Sequence, residues 1–280
     1  MKTGLVLEGG AMRGMYTAGV LDVFLENGVS FDDVIGVSAG AISGVSFVSG
    51  QKGRTIRYNL KYCRDKRVMS FYSLFTTGDL VGDRFCYHEI PERLDPFDNA
   101  SFQASPTKFY AVCTNLETGE AEVIHLTDMF AQIDYLRASA SMPYVSRIVE
   151  MDGKQYLDGG CSDSIPVRKA MEMGITKPVV VLTRPADYRK KPSRASLAEI
   201  CYRRYPNFIR CLRSRAQEYN RSVEEVLQLE QAGKIFVIRP QTPLDIGRMC
   251  HDPEKIQAAY LRGREDASRQ LEQLKAWLNT

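Results

Sequence analysis

Two glycine-rich turns within residues 1–40 each join a short apolar strand to a helix, and that repetition constrains the chain more than any other feature. The first, Glu8-Gly9-Gly10-Ala11-Met12-Arg13-Gly14, follows Thr3–Leu7 and opens a helix predicted from Met15 to Leu25. The second, Gly36-Val37-Ser38-Ala39-Gly40, follows Phe31–Ile35 and opens a small-residue helix over Ala41–Val48. Strand, tight turn and helix, twice in succession, predict a βαβα start. Further on, Lys108–Cys113 and Ala121–Leu126 read as strands paired across a turn at Glu117–Gly119. Ser146–Met151 and Lys154–Leu157 read as a hairpin about Asp152-Gly153, and Pro178–Thr183 as a buried strand. Strands alternating with helices imply an α/β sandwich with a mainly parallel sheet.

Gly-x-Ser-x-Gly between a strand and a helix is the pattern of a nucleophile elbow, which exposes the serine hydroxyl on a sharp turn. Gly36 and Gly40 remove the Cβ atoms that would obstruct that turn, and Ser38 is left at the positive end of a helix. The first turn is one residue away from a dinucleotide-binding fingerprint. Ala11, however, stands where the middle glycine should let pyrophosphate approach. The acidic residue expected to hold a ribose would fall at Asp32 or Asp33, on the approach to Ser38. The better reading is an array of N–H donors at a helix start, aimed at the oxyanion of an acyl-transfer intermediate. Gly9, Gly10 and Ala11 are the candidate donors, joined by the amide of Ala39. Ala11 is expected to keep an ordinary negative φ.

A serine nucleophile needs a base, and the chain holds three histidines: His88, His125 and His251. His251 follows Ser38 and Asp158 in the order Ser, Asp, His of α/β-hydrolases. It also precedes Asp252-Pro253, which reads as a helix N-cap and first-turn proline. The other candidate is Asp158 itself, leaving the hairpin at a rigid exit before Gly159 and Gly160. A carboxylate is a weak base at its usual pKa of about 3.9, and burial raises that value. Both a Ser38–Asp158 dyad and a Ser38–Asp158–His251 triad fit the residues.

The turn at Glu8–Gly14, the elbow at Gly36–Gly40 and the Asp158-Gly159-Gly160 exit together resemble the bacterial patatin-like phospholipase family. Thr114–Gly119 and Ala138–Pro143 are weaker matches, and the resemblance spans roughly residues 3–185. It implies a three-layer sandwich with helices on both faces of a mainly parallel sheet. It also implies a Ser–Asp dyad without histidine: Ser38 as nucleophile and Asp158 as general base. The amides around Gly9, Gly10 and Ala11 would form the oxyanion hole, with Arg13 and Gly14 supporting the loop. Such a site needs no metal or cofactor, and its substrate would be a lipid ester. The loop departs from the family pattern in starting with Glu8 and carrying Ala11 in place of a third glycine.

No run of about 18 apolar residues offers a spanning helix, and the apolar run after Met1-Lys2 is too short for a signal peptide. Seven cysteines, odd in number and with no Cys-x-x-Cys pair, point to a reducing, cytoplasmic setting. The net charge of +3 is unevenly spread. Residues 51–67 hold seven Lys/Arg against one acid, and residues 184–221 hold eleven against three. This suits a solvated basic face or peripheral contact with an anionic membrane surface; no nucleic-acid-binding module accompanies it. The stretch from about Tyr188 to Pro206 marks a boundary between a catalytic domain over 1–187 and an extension over 188–280. In that extension, Ser222 and Glu225 predict a capping box for a helix that stops at Gly233. A strand over Lys234–Ile238 and a helix from Pro253 to near Trp277 follow. Residues 54–100, with Pro91 and Pro96 as breaks, are expected to cover the site, and Phe71–Phe75 to line its acyl pocket or join the core. The expected activity is that of a serine acyl hydrolase acting on lipid carboxylic esters. A Ser–Asp–His esterase or thioesterase, and a catalytically weak lipid-surface binding protein, are the alternatives.

Overall fold

Eight strands form one sheet: β1 (Thr3–Leu7), β2 (Asp33–Val37), β3 (Lys108–Asn115), β4 (Ala121–Leu126), β5 (Val149–Met151), β6 (Lys154–Asp158), β7 (Lys177–Val181) and β8 (Phe236–Ile238). The computed structural model describes residues 1–192 and 196–279. The strand order is β5-β6-β3-β2-β1-β7-β8, with β4 paired to β3. The central strands β3, β2, β1, β7 and β8 run parallel, while β4, β5 and β6 pair antiparallel. The helices are α1 (Gly14–Glu26), α2 (Ala39–Val48), α3 (Arg54–Tyr62), α4 (Phe71–Thr77) and α5 (Asn99–Ala104), followed by α6 (Ile133–Ser139) and α7 (Val167–Glu172). Then come α8 (Ser196–Cys201), α9 (Pro206–Gln231) and α10 (Pro253–Asn279).

The pleat divides the core in two, because successive strand side chains point to opposite faces. Leu5, Leu7, Val34, Phe109, Ala111, Val179 and Val181 pack with residues of α1, α2, α6 and α10. Val6, Ile35, Val37, Val112, Val180 and Leu182 pack with residues of α7 and α9 on the other face. Helices therefore cover both sides of a mainly parallel sheet; the alternating pattern predicted the sheet, and the resemblance implied helices on both faces.

The segment beyond residue 188 shares this core. β8 pairs with β7, and α10 lies against α1 at a crossing where Gly19 faces the Tyr260 carbonyl and Gly263 faces the Tyr16 carbonyl. A side chain at either glycine would collide with the opposing backbone. Since α1 begins at the first glycine turn, α10 braces the element that carries that turn.

Several local expectations need correction. Ser222 caps nothing: it lies inside α9, and its hydroxyl donates back to the Glu218 carbonyl at 3.1 Å. The apolar stripe of α9 (Phe208, Leu212, Ala216, Tyr219, Val223, Val226) runs through that position and overrides the local capping signal. Pro91 does not break its segment but sits within a π-type helix over Arg84–Leu94. Phe71, Tyr72 and Phe75 neither line a pocket nor join the core; they are 63%, 56% and 86% exposed on α4.

Candidate active site

The geometry of the site begins with the register on β3. Val37, the last residue of β2, lies opposite Val112, and Asp158, the last residue of β6, lies opposite Cys113. Because β4 occupies the other edge of β3 over residues 109–114, β2 and β6 share one edge and meet there end to end. Ser38 follows directly from β2. Its Oγ donates to Asp158 Oδ2 at 2.9 Å.

Ser38 has φ 53° and ψ −121°, a strained conformation for a residue with a side chain, as a nucleophile elbow requires. The surroundings hold it there. Its N–H donates to Ser139 Oγ at 3.0 Å, and the Ser139 hydroxyl donates to the Val112 carbonyl at 2.7 Å. Gly40 lets α2 approach β1: a Cβ there would lie 2.5 Å from the Leu7 carbonyl oxygen. A Cβ at Gly36 would lie 2.5 Å from Ala41 Cα within the elbow, and one at Gly14 would lie 2.7 Å from the Ala39 Cβ, so the two turns pack against each other.

Asp158 is buried and fixed from several sides. Its Oδ1 accepts from the Gly160 N–H at 2.7 Å, its own N–H donates to the Ser141 carbonyl at 2.8 Å, and its carbonyl accepts from Thr114 Oγ1 at 2.8 Å. Gly159 packs on the Val112 carbonyl, where a Cβ would collide with the backbone. Burial raises the Asp158 pKa above the ordinary carboxylate value, opposed by the charge of Arg215, the Gly160 N–H and the Ser38 hydroxyl. A carboxylate so placed can take a proton from Ser38 without further movement.

The first turn is only partly as expected. The Gly9 N–H is committed to the Ser164 carbonyl at 3.3 Å. The amides of Gly10, Ala11 and Ala39 meet no acceptor among the described residues. Ala11 does not keep a negative φ but stands at +49°, because the chain must turn from β1 into a 3-10 turn over Ala11–Arg13 within a few residues. Glu8, the family departure, is a buried anchor. Its Oε2 accepts from the N–H and Oγ1 of Thr183 at 2.5 and 3.0 Å, and its Oε1 from the Tyr219 hydroxyl at 2.8 Å. Arg13 closes the turn with its backbone N–H to the Gly10 carbonyl at 3.2 Å. Its buried Nε finds no partner among the described residues, and the side chain lines the cavity beside Ser38 instead of bracing the loop.

The histidines stand apart. His251 Nδ1 is 2.7 Å from the Cys63 carbonyl, His88 pairs with Glu92, and His125 stacks on Tyr110. None of them bonds to Ser38 or Asp158.

Ser38 faces two cavities. One is apolar, lined by side chains such as Met12, Met15, Ile42, Val45, Ile133 and Leu136 and covered by residues of the 54–100 segment, among them Tyr58 and Ile90. The other also borders Asp158 and is lined by Arg13, Arg184, Lys190, Arg215 and Arg248. Ser139 was visible only within the weaker Ala138–Pro143 match, and Tyr219, Arg215 and Arg248 escaped the reading of the sequence. The last three belong to no local motif, and Arg215 was visible only as one charge in a basic segment.

Residues 5–171 match the family model described as patatin-like phospholipase, and residues 205–279 match a domain of unknown function (DUF6363). An uncharacterized protein, YjjU of Escherichia coli K12, is 30% identical over 191 residues, covering 67% of this chain and 54% of YjjU. The neuropathy target esterase sws of Drosophila melanogaster is 27% identical over 174 residues, covering 61% of this chain and 12% of the esterase. The chain thus matches about half the length of the first relative and a small part of the second. VipD from Legionella pneumophila aligns over 97% of this chain and 67% of its own, at 12% identity and a TM-score of 0.48. Among the described residues no helix is long and apolar enough to cross a membrane.

Proposed function

The chain belongs to the patatin-like phospholipase family, and on that premise we propose that it is a serine acyl hydrolase that cleaves carboxylic esters of lipids through a Ser38–Asp158 dyad. The observation that carries this reading is the 2.9 Å hydrogen bond from Ser38 Oγ to Asp158 Oδ2, made by a serine in a strained elbow at the junction of two cavities. In this mechanism Ser38 Oγ attacks the ester carbonyl and Asp158 takes its proton. The amides of Gly10, Ala11 and Ala39 stabilise the oxyanion that develops. Asp158 returns the proton to the leaving alcohol, and water, activated by the same carboxylate, releases the fatty acid from Ser38. The apolar cavity suits an acyl chain. The subtype we assign is a phospholipase A or lysophospholipase.

Phe71 and Phe75 on α4 and Leu197 and Ile200 on α8 are strongly exposed, which supports peripheral contact with a lipid surface. Leu80, which follows shortly after α4 in the chain, lines the charged cavity, and its N–H donates to the Val145 carbonyl at 2.7 Å. We place the enzyme in the cytoplasm, at the membrane periphery.

The test is a fluorophosphonate probe followed by mass spectrometry of the adduct. Labelling of Ser38, lost in Ser38→Ala together with hydrolysis of a chromogenic ester, is the expected result. Undiminished labelling of a folded Ser38→Ala protein removes Ser38 as nucleophile.

A further inference from the structure

Helix α9 reaches both catalytic turns from one of its faces. Arg215 and Tyr219 are four residues apart in it, so they lie one above the other on the same side. Arg215 Nε donates to the Gly160 carbonyl at 2.7 Å. The N–H of that same glycine donates to Asp158 Oδ1 at 2.7 Å. The guanidinium thus grips the residue that holds the carboxylate. One turn further along, the Tyr219 hydroxyl donates to Glu8 Oε1 at 2.8 Å, directly before Gly9. Ser164 joins the two attachments. Its hydroxyl donates to the Gly160 carbonyl at 3.0 Å, and its own carbonyl accepts the Gly9 N–H at 3.3 Å. The turn after Asp158 is a short 3-10 element over Gly159–Cys161, with two glycines and few bonds of its own. A clamp from a long helix supplies the rigidity that such a turn lacks.

The guanidinium also acts through its charge. Burial raises the Asp158 pKa, and Arg215 is the largest influence opposing it, ahead of the Gly160 N–H, the Ser38 hydroxyl and Lys190. Burial pushes the Lys190 ammonium down to about 7, so at neutral pH it carries only part of a charge. Arg215 keeps its charge throughout. The thiols of Cys113, opposite Asp158 on β3, and of Cys161 are both raised by burial and stay neutral. Glu8, Arg13, Arg184 and Arg248 border the same cavity.

We propose that Arg215 and Tyr219 are positioning residues for the reaction: Arg215 fixes the Asp158 turn and stands as counter-charge to its carboxylate, and Tyr219 fixes the first glycine turn through Glu8. The proposal rests on the reading of Ser38 and Asp158 as the catalytic pair. It gives the C-terminal region a part in the chemistry. Both residues lie beyond residue 171, where the match to the catalytic family model ends, and within the 205–279 match of unknown function.

The test measures kcat, KM and the pH profile of chromogenic ester hydrolysis in Arg215→Gln, Arg215→Lys and Tyr219→Phe. Arg215→Gln keeps a donor and loses the charge. Its kcat is expected to fall roughly 10- to 100-fold with KM little changed, the effect of a slightly misplaced catalytic group. Its acid limb should move to higher pH, because the largest influence opposing burial is gone. Arg215→Lys keeps the charge and should return the limb toward its wild-type position. Tyr219→Phe should lower kcat roughly tenfold and leave the limb in place, since it removes no charge near Asp158. A purely structural role would lower Tm and move neither kcat nor the limb. Unaltered kcat and limb in folded Arg215→Gln overturn the assignment of Arg215; Arg215→Met, which keeps the apolar stem, replaces that variant if it fails to fold. A limb displaced as far in Arg215→Lys as in Arg215→Gln overturns the role of the charge. Unaltered kcat in folded Tyr219→Phe overturns the assignment of Tyr219. A second arm needs no turnover: carboxyl ¹³C NMR titration of Asp158, its signal identified by loss in Asp158→Asn, in wild type and Arg215→Gln. An upward shift in a protein that hydrolyses no ester fails the catalytic reading and leaves the Arg215–Asp158 coupling standing. An unmoved titration in an active enzyme overturns the coupling and leaves the dyad.

Discussion

Ser38 and Asp158 are 120 positions apart in the chain, yet Oγ and Oδ2 are 2.9 Å apart because the strands they terminate meet head-on along one edge of β3. Val112 and Cys113 are consecutive residues of β3, so a register slip of one residue in either β2 or β6 would separate the pair. The Val112 carbonyl also receives the Ser139 hydroxyl that holds the Ser38 amide. One strand thus sets the spacing of both groups.

Asp158→Asn removes the proton acceptor and keeps the shape. Hydrolysis should fall by about 10²–10⁴-fold, the usual contribution of a general base. Because burial raises the Asp158 pKa, the acid limb of kcat/KM should lie above the ordinary carboxylate range, with activity rising as Asp158 ionises. The same shift has a stability consequence with a defined sign. The folded-state pKa is above the unfolded one, so Asp158 favours folding at low pH and that contribution is lost as pH rises from the unfolded to the folded pKa. Asp158→Asn should therefore raise Tm more at pH 7 than at pH 4. An equal change at both pH values contradicts this.

His251→Ala should leave turnover nearly intact, since its ring bonds the Cys63 carbonyl instead of the dyad. Inactivity of a folded His251→Ala protein would instead favour a triad.

Ala11→Gly and Gly10→Val should diverge. Ala11 holds a left-handed φ of 49°, which costs an L-residue about 1–2 kcal/mol, so glycine there should preserve activity and leave stability equal or slightly higher. A Cβ at Gly10 would lie 2.8 Å from Thr183 Oγ1, within the Glu8–Thr183 anchor. Gly10→Val should then displace the turn, with losses of roughly 10²–10³ in kcat if an oxyanion donor is misplaced. Ester turnover and thermal melts of both variants check this; near-normal turnover by Gly10→Val makes the loop purely structural.

Vesicle co-sedimentation addresses the exposed residues. Phe71→Ser with Phe75→Ser should weaken association with any lipid surface, as these rings are free to insert. Charge reversal at Arg203 and Arg204, both exposed, should weaken binding to anionic vesicles alone, by roughly 1 kcal/mol per charge close to the surface. Binding that ignores lipid charge and salt removes the electrostatic part, and unchanged binding of the double Phe variant removes the apolar part.

The sequence by itself determined the units whose chemistry is local. The turns around Gly9–Gly14 and Gly36–Gly40, the Asp152-Gly153 hairpin and the helices α1, α2 and α10 form where glycine placement and apolar spacing predicted them. Their signals lie within a few residues, so composition and order suffice to specify them. The tertiary structure decided what depends on register and on contacts between distant segments. It brought Asp158 rather than a histidine to Ser38, through pairing with β3. It engaged the Gly9 amide with Ser164, left those of Gly10 and Ala11 without an acceptor among the described residues, and forced Ala11 into positive φ. It turned Glu8 into an anchor for Tyr219 and gathered Arg184, Lys190, Arg215 and Arg248 around one cavity. Nothing near any of these residues in the chain encodes those partners. They meet because the sheet order places the exits of β1, β2, β6 and β7 at one end of the molecule, where α9 and the segment before α10 fold over them.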